Sequence, residues 1–200
     1  MVNVALGFKA HSGWAALVLL GGNRDSHEVL DRRRIELAHE EWAKQPYHAA
    51  EQLTASAARK IVQRGIRAAY KYAKREMAAA IKRAEKNEYR LNSCGIIMGA
   101  AMPDWSVDEI LAVHFRMHKA EGVLFREALA EAAISCELQL TRVPEKTLMD
   151  YAAKTLKRSQ RDLTNEIAVL GKRAGSPWGK DQKEAALAAM IALSQSSDGF

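Results

Sequence analysis

Cysteine, proline and aromatic residues are scarce in this sequence. Its 200 residues include only two cysteines and four prolines, and 6% of them are aromatic. Two cysteines, Cys94 and Cys136, cannot build the disulfide framework of a small secreted protein, and a chain of this length does not need one. We therefore expect both thiols to be free and the protein to reside in the reducing cytoplasm.

Long apolar runs are also missing. None approaches the roughly 20 residues that span a bilayer, so we expect no membrane contact. The opening residues, MVNVALGFKAHSGW, lack the charged and apolar regions of a secretory signal. The composition, 48% hydrophobic and 27% charged, is that of an ordinary globular protein. We expect one domain over residues 1–193 and a flexible tail over 194–200.

Positive charge is concentrated in one segment. The net charge is +6, yet ten Lys or Arg and two Glu between Arg59 and Lys86 give this segment +8. Its apolar residues recur every three or four positions from Val62 to Ala84, which predicts one long helix. A solvated surface is one interpretation of its charged face, and phosphate binding is the other. We expect phosphate contacts from this face and from two arginines of an earlier strand: Arg64, Arg67, Lys71, Lys74, Arg75, Arg32 and Arg34.

The order of elements predicts the fold class. Strands over 2–9, 14–20 and 28–37, joined by short turns, are typical of an antiparallel meander. The long helix is followed by a strand (93–102), a helix (106–133), a strand (137–143) and three helices (145–157, 160–170 and 181–193). This order predicts an α/β domain with a mixed five-stranded sheet, made of the meander plus α-β units, and with helices on both faces.

Polar residues interrupt the first apolar hairpin. Lys9, His11 and Ser12 stand beside Gly13 at the centre of ALGFKAHSGWAALVLLGG. One interpretation is an ordinary solvent-exposed hairpin end. The other is an anion site, in which an ammonium, an imidazole and a hydroxyl lie next to an accessible backbone N–H.

Three stretches resemble a known family. They are this first hairpin, the glycine-containing helix segment HKAEGVL (118–124) and the closing WGKDQKEAA (178–186). Together with the order of elements, they resemble the Holliday-junction resolvase type of the ribonuclease H-like superfamily. The resemblance implies phosphodiester chemistry by carboxylates that hold two divalent ions. It places one carboxylate on the first strand, one on the strand after the first long helix, and one or two on the last helix.

The sequence departs from that family at the acids. Lys9 stands where the family has the carboxylate of the first strand. The strand after the first long helix, CGIIMGAAM, contains no acid. Only Asp181 and Glu184 remain. Two unit charges about 4 Å apart interact by about 4 kcal/mol at an effective dielectric near 20, so a lysine there would strongly repel a divalent ion. We therefore expect a degenerate site with no metal ligands and no cofactor, in which Lys9, His11, Asp181 and Glu184 form a replacement constellation.

Two groups of polar residues have competing interpretations. Asp181 followed by Glu184 also fits a capping box at a helix start, which needs no site role. His114, His118 and Glu121 lie on one stripe of the predicted helix 106–133. They could bind zinc, but the polar rim of an amphipathic helix explains them as well.

Three functions stay open, and the sequence leaves catalysis undecided. The first is a nucleic-acid-binding protein of the ribonuclease H-like fold, on DNA or RNA, without standard two-metal nuclease activity. The second is a nuclease or resolvase that uses a divalent metal such as Mg²⁺, bound by Asp31, Glu36, Asp181 and Glu184. The third is a non-catalytic structural or partner-binding domain, such as a homodimer formed through its alanine-rich helices.

Overall fold

Three consecutive strands open the fold as an antiparallel meander. They are β1 (Val2–His11), β2 (Trp14–Asn23) and β3 (Ser26–Glu36). The β1–β2 turn is closed by Gly13, whose φ of +83° is readily adopted only by glycine. The computed structural model describes residues 2–23 and 26–197.

Two parallel strands complete the sheet. The chain passes through helices α1 (Glu41–Lys44), α2 (Pro46–Ala50) and α3 (Ala55–Lys86), then enters β4 (Tyr89–Met98), which runs parallel to β1. Helices α4 (Val107–Leu111) and α5 (His114–Ser135) lead to β5 (Gln139–Pro144), parallel to β4. The strand order β3-β2-β1-β4-β5 confirms the predicted mixed five-stranded sheet.

Helices cover both faces of the sheet, as predicted. Helices α3 and α5 pack on one face, against the side chains of Val4, Leu6 and Phe8. The last three helices, α6 (Leu148–Leu156), α7 (Gln160–Ala174) and α8 (Lys180–Ser197), form the other layer. Helix α8 lies directly on β1 and β4. None of the helices within the described ranges is long and apolar enough to cross a bilayer.

Two paired glycines bring α8 close to the sheet. Gly7 of β1 and Gly95 of β4 are direct partners in the parallel ladder. A Cβ atom on Gly7 would lie 1.8 Å from the carbonyl oxygen of Ala185, and one on Gly95 would lie 2.2 Å from that of Ala188. The backbone of α8 therefore rests almost on the backbone of the two strands, and the first turn of α8 is held at the carboxyl end of β1.

Several boundaries differ from the predictions. Strand β4 begins at Tyr89 because pairing with β1 extends into polar residues, while residues 99–102 form a loop beyond the sheet. The predicted helix 106–133 is two helices that break at Ala112 and Val113, and the first of them begins with a capping box formed by Ser106 and Glu109. Helix α8 continues to Ser197, past the predicted tail boundary at 194, and residues 198–200 lie outside the described ranges.

Both cysteines are free, as predicted. Cys94 is buried in β4, and Cys136 follows α5. Burial is the main reason that the pKa of Cys94 is raised to about 12. This thiol is therefore protonated at neutral pH and has the character of a small core residue.

Candidate functional site

Lys9 occupies the carboxyl end of β1, on the face covered by α8. Because alternate residues of a strand point to opposite faces, Gly7, Lys9 and His11 all face α8, whereas Phe8 faces α3 and α5. Lys9 is only 5% exposed. Its Nζ lies 2.9 Å from Oε2 of Glu184, in the first turns of α8, and donates a hydrogen bond to Glu145, which directly follows β5.

The charges around Lys9 balance one another. Arg126 of α5 forms a second ion pair with Glu145, with 2.8 Å between Nη1 and Oε2. Burial acts to lower the pKa of Lys9, but the neighbouring carboxylates of Glu145 and Glu184 outweigh it, so that this pKa is raised. Burial likewise acts against ionisation of Glu145, and Lys9 and Arg126 reverse the effect and lower its pKa. Lys9 and Glu145 are therefore both ionised at neutral pH, and Lys9 has little uncompensated charge to offer an anion.

His11 and Asp181 form a second pair beside the first. Nε2 of His11 lies 2.9 Å from Oδ1 of Asp181, and the imidazole is 37% exposed. The His11 ring stacks on Trp14 at a centroid distance of 4.4 Å. The guanidinium of Arg34 in turn lies 4.0 Å from the centroid of the Trp14 ring. Arg34 also contacts Glu36, with 2.6 Å between Nε and Oε1. The imidazole is thus fixed in orientation at an open edge of the sheet.

The capping-box interpretation of Asp181 and Glu184 is wrong. Helix α8 begins at Lys180, so Asp181 lies within its first turn and not at its N-cap. Gln182 takes the capping role instead, because its Oε1 accepts a hydrogen bond from the backbone N–H of Gly179 at 2.9 Å. The two carboxylates are thereby left to contact His11 and Lys9.

The four residues of the predicted constellation therefore lie together, as two adjacent ion pairs, and sequence reasoning missed two more. Glu145 was assigned to the start of a helix, and Arg126 to the middle of one. An acid directly after a parallel strand is a signal that could have identified Glu145, because such residues meet at the carboxyl edge of the sheet. Arg126 carries no comparable signal.

Two clefts adjoin the Lys9 pairs. One, of about 430 Å³, is lined by Glu145 and Glu184 together with Lys146, Met149 and Lys183. The other, of about 320 Å³, is lined by the loop 99–104 after β4 and by Arg126. The ion pairs thus form the wall between two solvent-accessible clefts at the carboxyl edge of the sheet.

This site does not fit two divalent ions. The ammonium of Lys9 lies between Glu145 and Glu184, the two carboxylates that would have to bind a cation here. Nor does the alternative set of acids come together. Asp31 contacts Arg33 of its own strand and Arg83 of α3, so it lies on the opposite face of the sheet from Asp181.

The predicted phosphate-binding residues divide into two groups. Arg64, Arg67, Lys71 and Lys74 are exposed on α3, and within the described residues none of them has an ion pair with an acid. The other three are engaged. Arg75 pairs with Glu76 at 2.8 Å and Arg34 with Glu36, whereas Arg32 donates to backbone carbonyls of the α7–α8 loop, at 2.6 Å for Pro177 and 2.8 Å for Ser176. Arg32 therefore holds the α7–α8 loop, and its guanidinium is already occupied by these carbonyl oxygens.

Comparison with solved structures finds the same fold elsewhere. The chain is similar to the structure of RuvC from Thermus thermophilus, with 8% sequence identity and a TM-score of 0.53; the match covers 98% of this chain and 96% of that one. It is also similar to T. thermophilus RuvC in complex with a Holliday junction substrate, with a TM-score of 0.51 and the same identity and coverage. The predicted ribonuclease H-like fold is thus confirmed, and it is the fold of these RuvC structures. No protein-family model matches the sequence, and no curated protein matches it significantly.

Proposed function

We propose that this protein binds nucleic acid through the exposed face of α3, and that it does not cleave it by two-metal chemistry. One observation carries the proposal: a row of cations along α3 that form no ion pair with any acid in residues 2–23 and 26–197. The similarity to RuvC supports it, because one of the similar structures holds a Holliday junction substrate. DNA and RNA both fit the chemistry of the row.

The row has the regular spacing of one helix stripe. Lys60, Arg64, Arg67, Lys71 and Lys74 recur at intervals of four and three residues, and all five are exposed. From the first to the last of them, α3 rises about 21 Å, at 1.5 Å per residue. That length corresponds to roughly six phosphates of one strand, at 3.4 Å of helix axis each. The row can therefore follow a nucleic-acid backbone over half a helical turn.

Aromatic neighbours fix part of this surface. The guanidinium of Arg64 lies 4.8 Å from the ring centroid of Trp42, and such stacking orients it without consuming its charge. On the flank of the row, Glu127 and Glu131 of α5 contribute to the raised pKa of Tyr70, after burial as the larger cause.

The absence of two-metal cleavage rests on Lys9. Lys9 is 5% exposed, and its ammonium pairs with both Glu145 and Glu184. It therefore neutralises the two carboxylates that would otherwise bind a divalent ion. Displacing it would leave the ammonium buried and unpaired beside a second cation, at a cost of several kcal/mol. The carboxyl edge of the sheet therefore keeps the location of a nuclease site without its metal ligands.

The test is a binding measurement with salt varied from about 50 to 200 mM. Fluorescently labelled four-way DNA junction, DNA duplex and RNA hairpin are titrated with the protein. We expect log Kd to rise linearly with log salt, and the double variant Arg64→Ala/Lys71→Ala to reduce that slope by about 2. The matched control is Lys172→Ala/Arg173→Ala, which removes the same charge from exposed positions of α7 and should leave the slope nearly unchanged.

Two outcomes would overturn the proposal in different ways. Absence of binding to all three probes at low salt would refute the nucleic-acid interface and favour a structural or partner-binding domain. Cleavage of any probe that requires added Mg²⁺ or Mn²⁺, and that is lost in Glu184→Gln, would show that the edge of the sheet does hold metal.

A further inference from the structure

Three histidines from two distant parts of the sequence converge on one point. His48 lies on α2, whereas His114 and His118 lie one turn apart at the start of α5. One ring nitrogen from each lies within 4.8 Å of the other two. The ring centroids of His48 and His118 are 4.5 Å apart, and those of His48 and His114 are 5.1 Å apart.

A buried glutamate sets the orientation of His48. Glu121 is 3% exposed, and its Oε2 lies 2.6 Å from Nδ1 of His48. Its Oε1 accepts hydrogen bonds from the backbone N–H groups of Tyr47 and His48, at 3.2 and 3.1 Å. A carboxylate held in this way keeps the imidazole proton on Nδ1, and Nε2 is left as an acceptor. That Nε2 is buried and has no hydrogen-bond partner among the described residues.

The other two histidines bring their Nε2 atoms close together. Nε2 of His118 lies 3.1 Å from Nε2 of His114, and Nδ1 of His114 is turned away towards Glu51, at 3.4 Å. In a tetrahedral zinc site with Zn–N bonds of about 2.05 Å, two ligand nitrogens lie about 3.3 Å apart. The His114–His118 separation matches that value closely.

We propose that His48, His114 and His118 bind a zinc ion through their Nε2 atoms. Three imidazoles and no thiolate form a ligand set for Zn²⁺ or a similar borderline divalent ion. Glu121 does not ligate it; it is a positioning residue, in the carboxylate–histidine arrangement common behind zinc ligands. The fourth position faces solvent, because the side chain of His114 is 61% exposed.

This site differs from both earlier expectations. Sequence spacing groups His114 and His118 with Glu121, either as zinc ligands or as the polar rim of a helix. It does not include His48, which is 66 residues away from His114. The site is also separate from the Lys9 pairs. Along α5, His118 precedes Arg126 by eight residues, which is about 12 Å of helix. The ion would fasten α2, a helix of only five residues, to the start of α5.

The test uses the full-length protein after treatment with a chelator. Titration with Zn²⁺ followed by calorimetry should give one ion per chain, and Co²⁺ should develop the visible ligand-field absorption of a tetrahedral complex. At 100 times its Kd, Zn²⁺ should shift the folding equilibrium about 100-fold, which raises the unfolding midpoint by roughly 5–10 °C.

Variants separate this site from non-specific binding. His118→Ala and His114→Ala alter exposed side chains and should abolish both the Co²⁺ spectrum and the rise in midpoint. Glu121→Gln should weaken zinc binding 10–100-fold while the Co²⁺ spectrum persists at saturation. The control is His39→Ala, which removes an exposed histidine elsewhere and should bind as the wild type does. Wild-type affinity no tighter than that of His118→Ala, or no tetrahedral Co²⁺ spectrum, would overturn the proposal, whatever the result of the nucleic-acid assay.

Discussion

Replacing Lys9 by methionine removes one charge from the centre of the site while it keeps most of the side-chain volume. Lys9→Met leaves Glu145 and Glu184 without their shared cation. Glu145 still has Arg126 at 2.8 Å, but the nearest remaining cation to Glu184 is Lys180, at 3.7 Å and with a side chain that is 84% exposed. The variant therefore creates one poorly compensated carboxylate in a largely buried position.

The expected cost follows from the burial of the partners. Removing one member of a fully buried ion pair costs about 3–5 kcal/mol. The side chains of Glu184 and Glu145 are 19% and 34% exposed, so solvent screens part of the loss, and we expect about 2–3 kcal/mol. For a chain of this size, that loss lowers the unfolding midpoint by roughly 5–10 °C.

The assay is urea and thermal unfolding of the wild type and Lys9→Met across a range of pH. The pKa of Glu145 is lowered in the folded protein, so its contribution is present above the unfolded pKa of about 4.5 and is lost as the pH falls through the folded value. The pKa of Lys9 is raised, so its contribution is present below 10.5 and is lost above the folded pKa. The gap between the two proteins should thus be widest between these limits and should narrow in acid.

Two companion variants identify the cause. Lys180→Met removes an exposed partner of the same carboxylate and should cost less than about 1 kcal/mol. Lys9→Met/Glu184→Gln removes the charge left behind and should recover much of the stability. A double variant as unstable as Lys9→Met, or a gap that does not change with pH, would refute the electrostatic reasoning and indicate a loss of packing instead.

Three further substitutions have expected outcomes. Lys9→Asp should raise the thermal midpoint in millimolar Mg²⁺ relative to a chelator, whereas the wild type should show no shift; equal shifts would contradict the role given to the lysine. Gly7→Ala forces a Cβ to within 1.8 Å of the Ala185 carbonyl oxygen and should cost about 3 kcal/mol or more in urea unfolding, so near-wild-type stability would mean that α8 can shift. Ser106→Ala removes a side chain that accepts a hydrogen bond from the N–H of Glu109 and should cost about 1 kcal/mol, with Ser56→Ala as the control at an exposed position of α3.

The fold could be predicted because its signals are local. The apolar period of α3 and the short turns between the first strands each depend on residues a few positions apart, and each agrees with the structure. The predicted position of β4 is four residues too late in the sequence. The polar first half of the strand is stabilised by pairing with β1, a contact between residues almost 90 positions apart. Local pattern cannot report such a contact.

The candidate site was predicted only in part, because some of its residues are brought together by long-range contacts. Lys9, His11, Asp181 and Glu184 were grouped because a family resemblance placed them at one edge of the sheet, and they do lie together. Glu145 is 136 residues from Lys9, and its role depends on where β5 ends. The capping role of Gln182 depended on a helix start one residue earlier than predicted, a difference within the usual uncertainty of helix boundaries.

The strand β3 has a consequence for how copies of this protein can associate. It forms one border of the sheet, with β2 as its only partner among the described strands, so its outer backbone groups could pair with another strand. Its sequence there is Asp31-Arg32-Arg33-Arg34, and the ladder to β2 is irregular next to Asp31. Dense charge and a break in the register are the features by which sheet borders avoid joining each other. A homodimer would therefore have to form on another surface, and the three arginines act in part to keep the border of the sheet closed to strand addition.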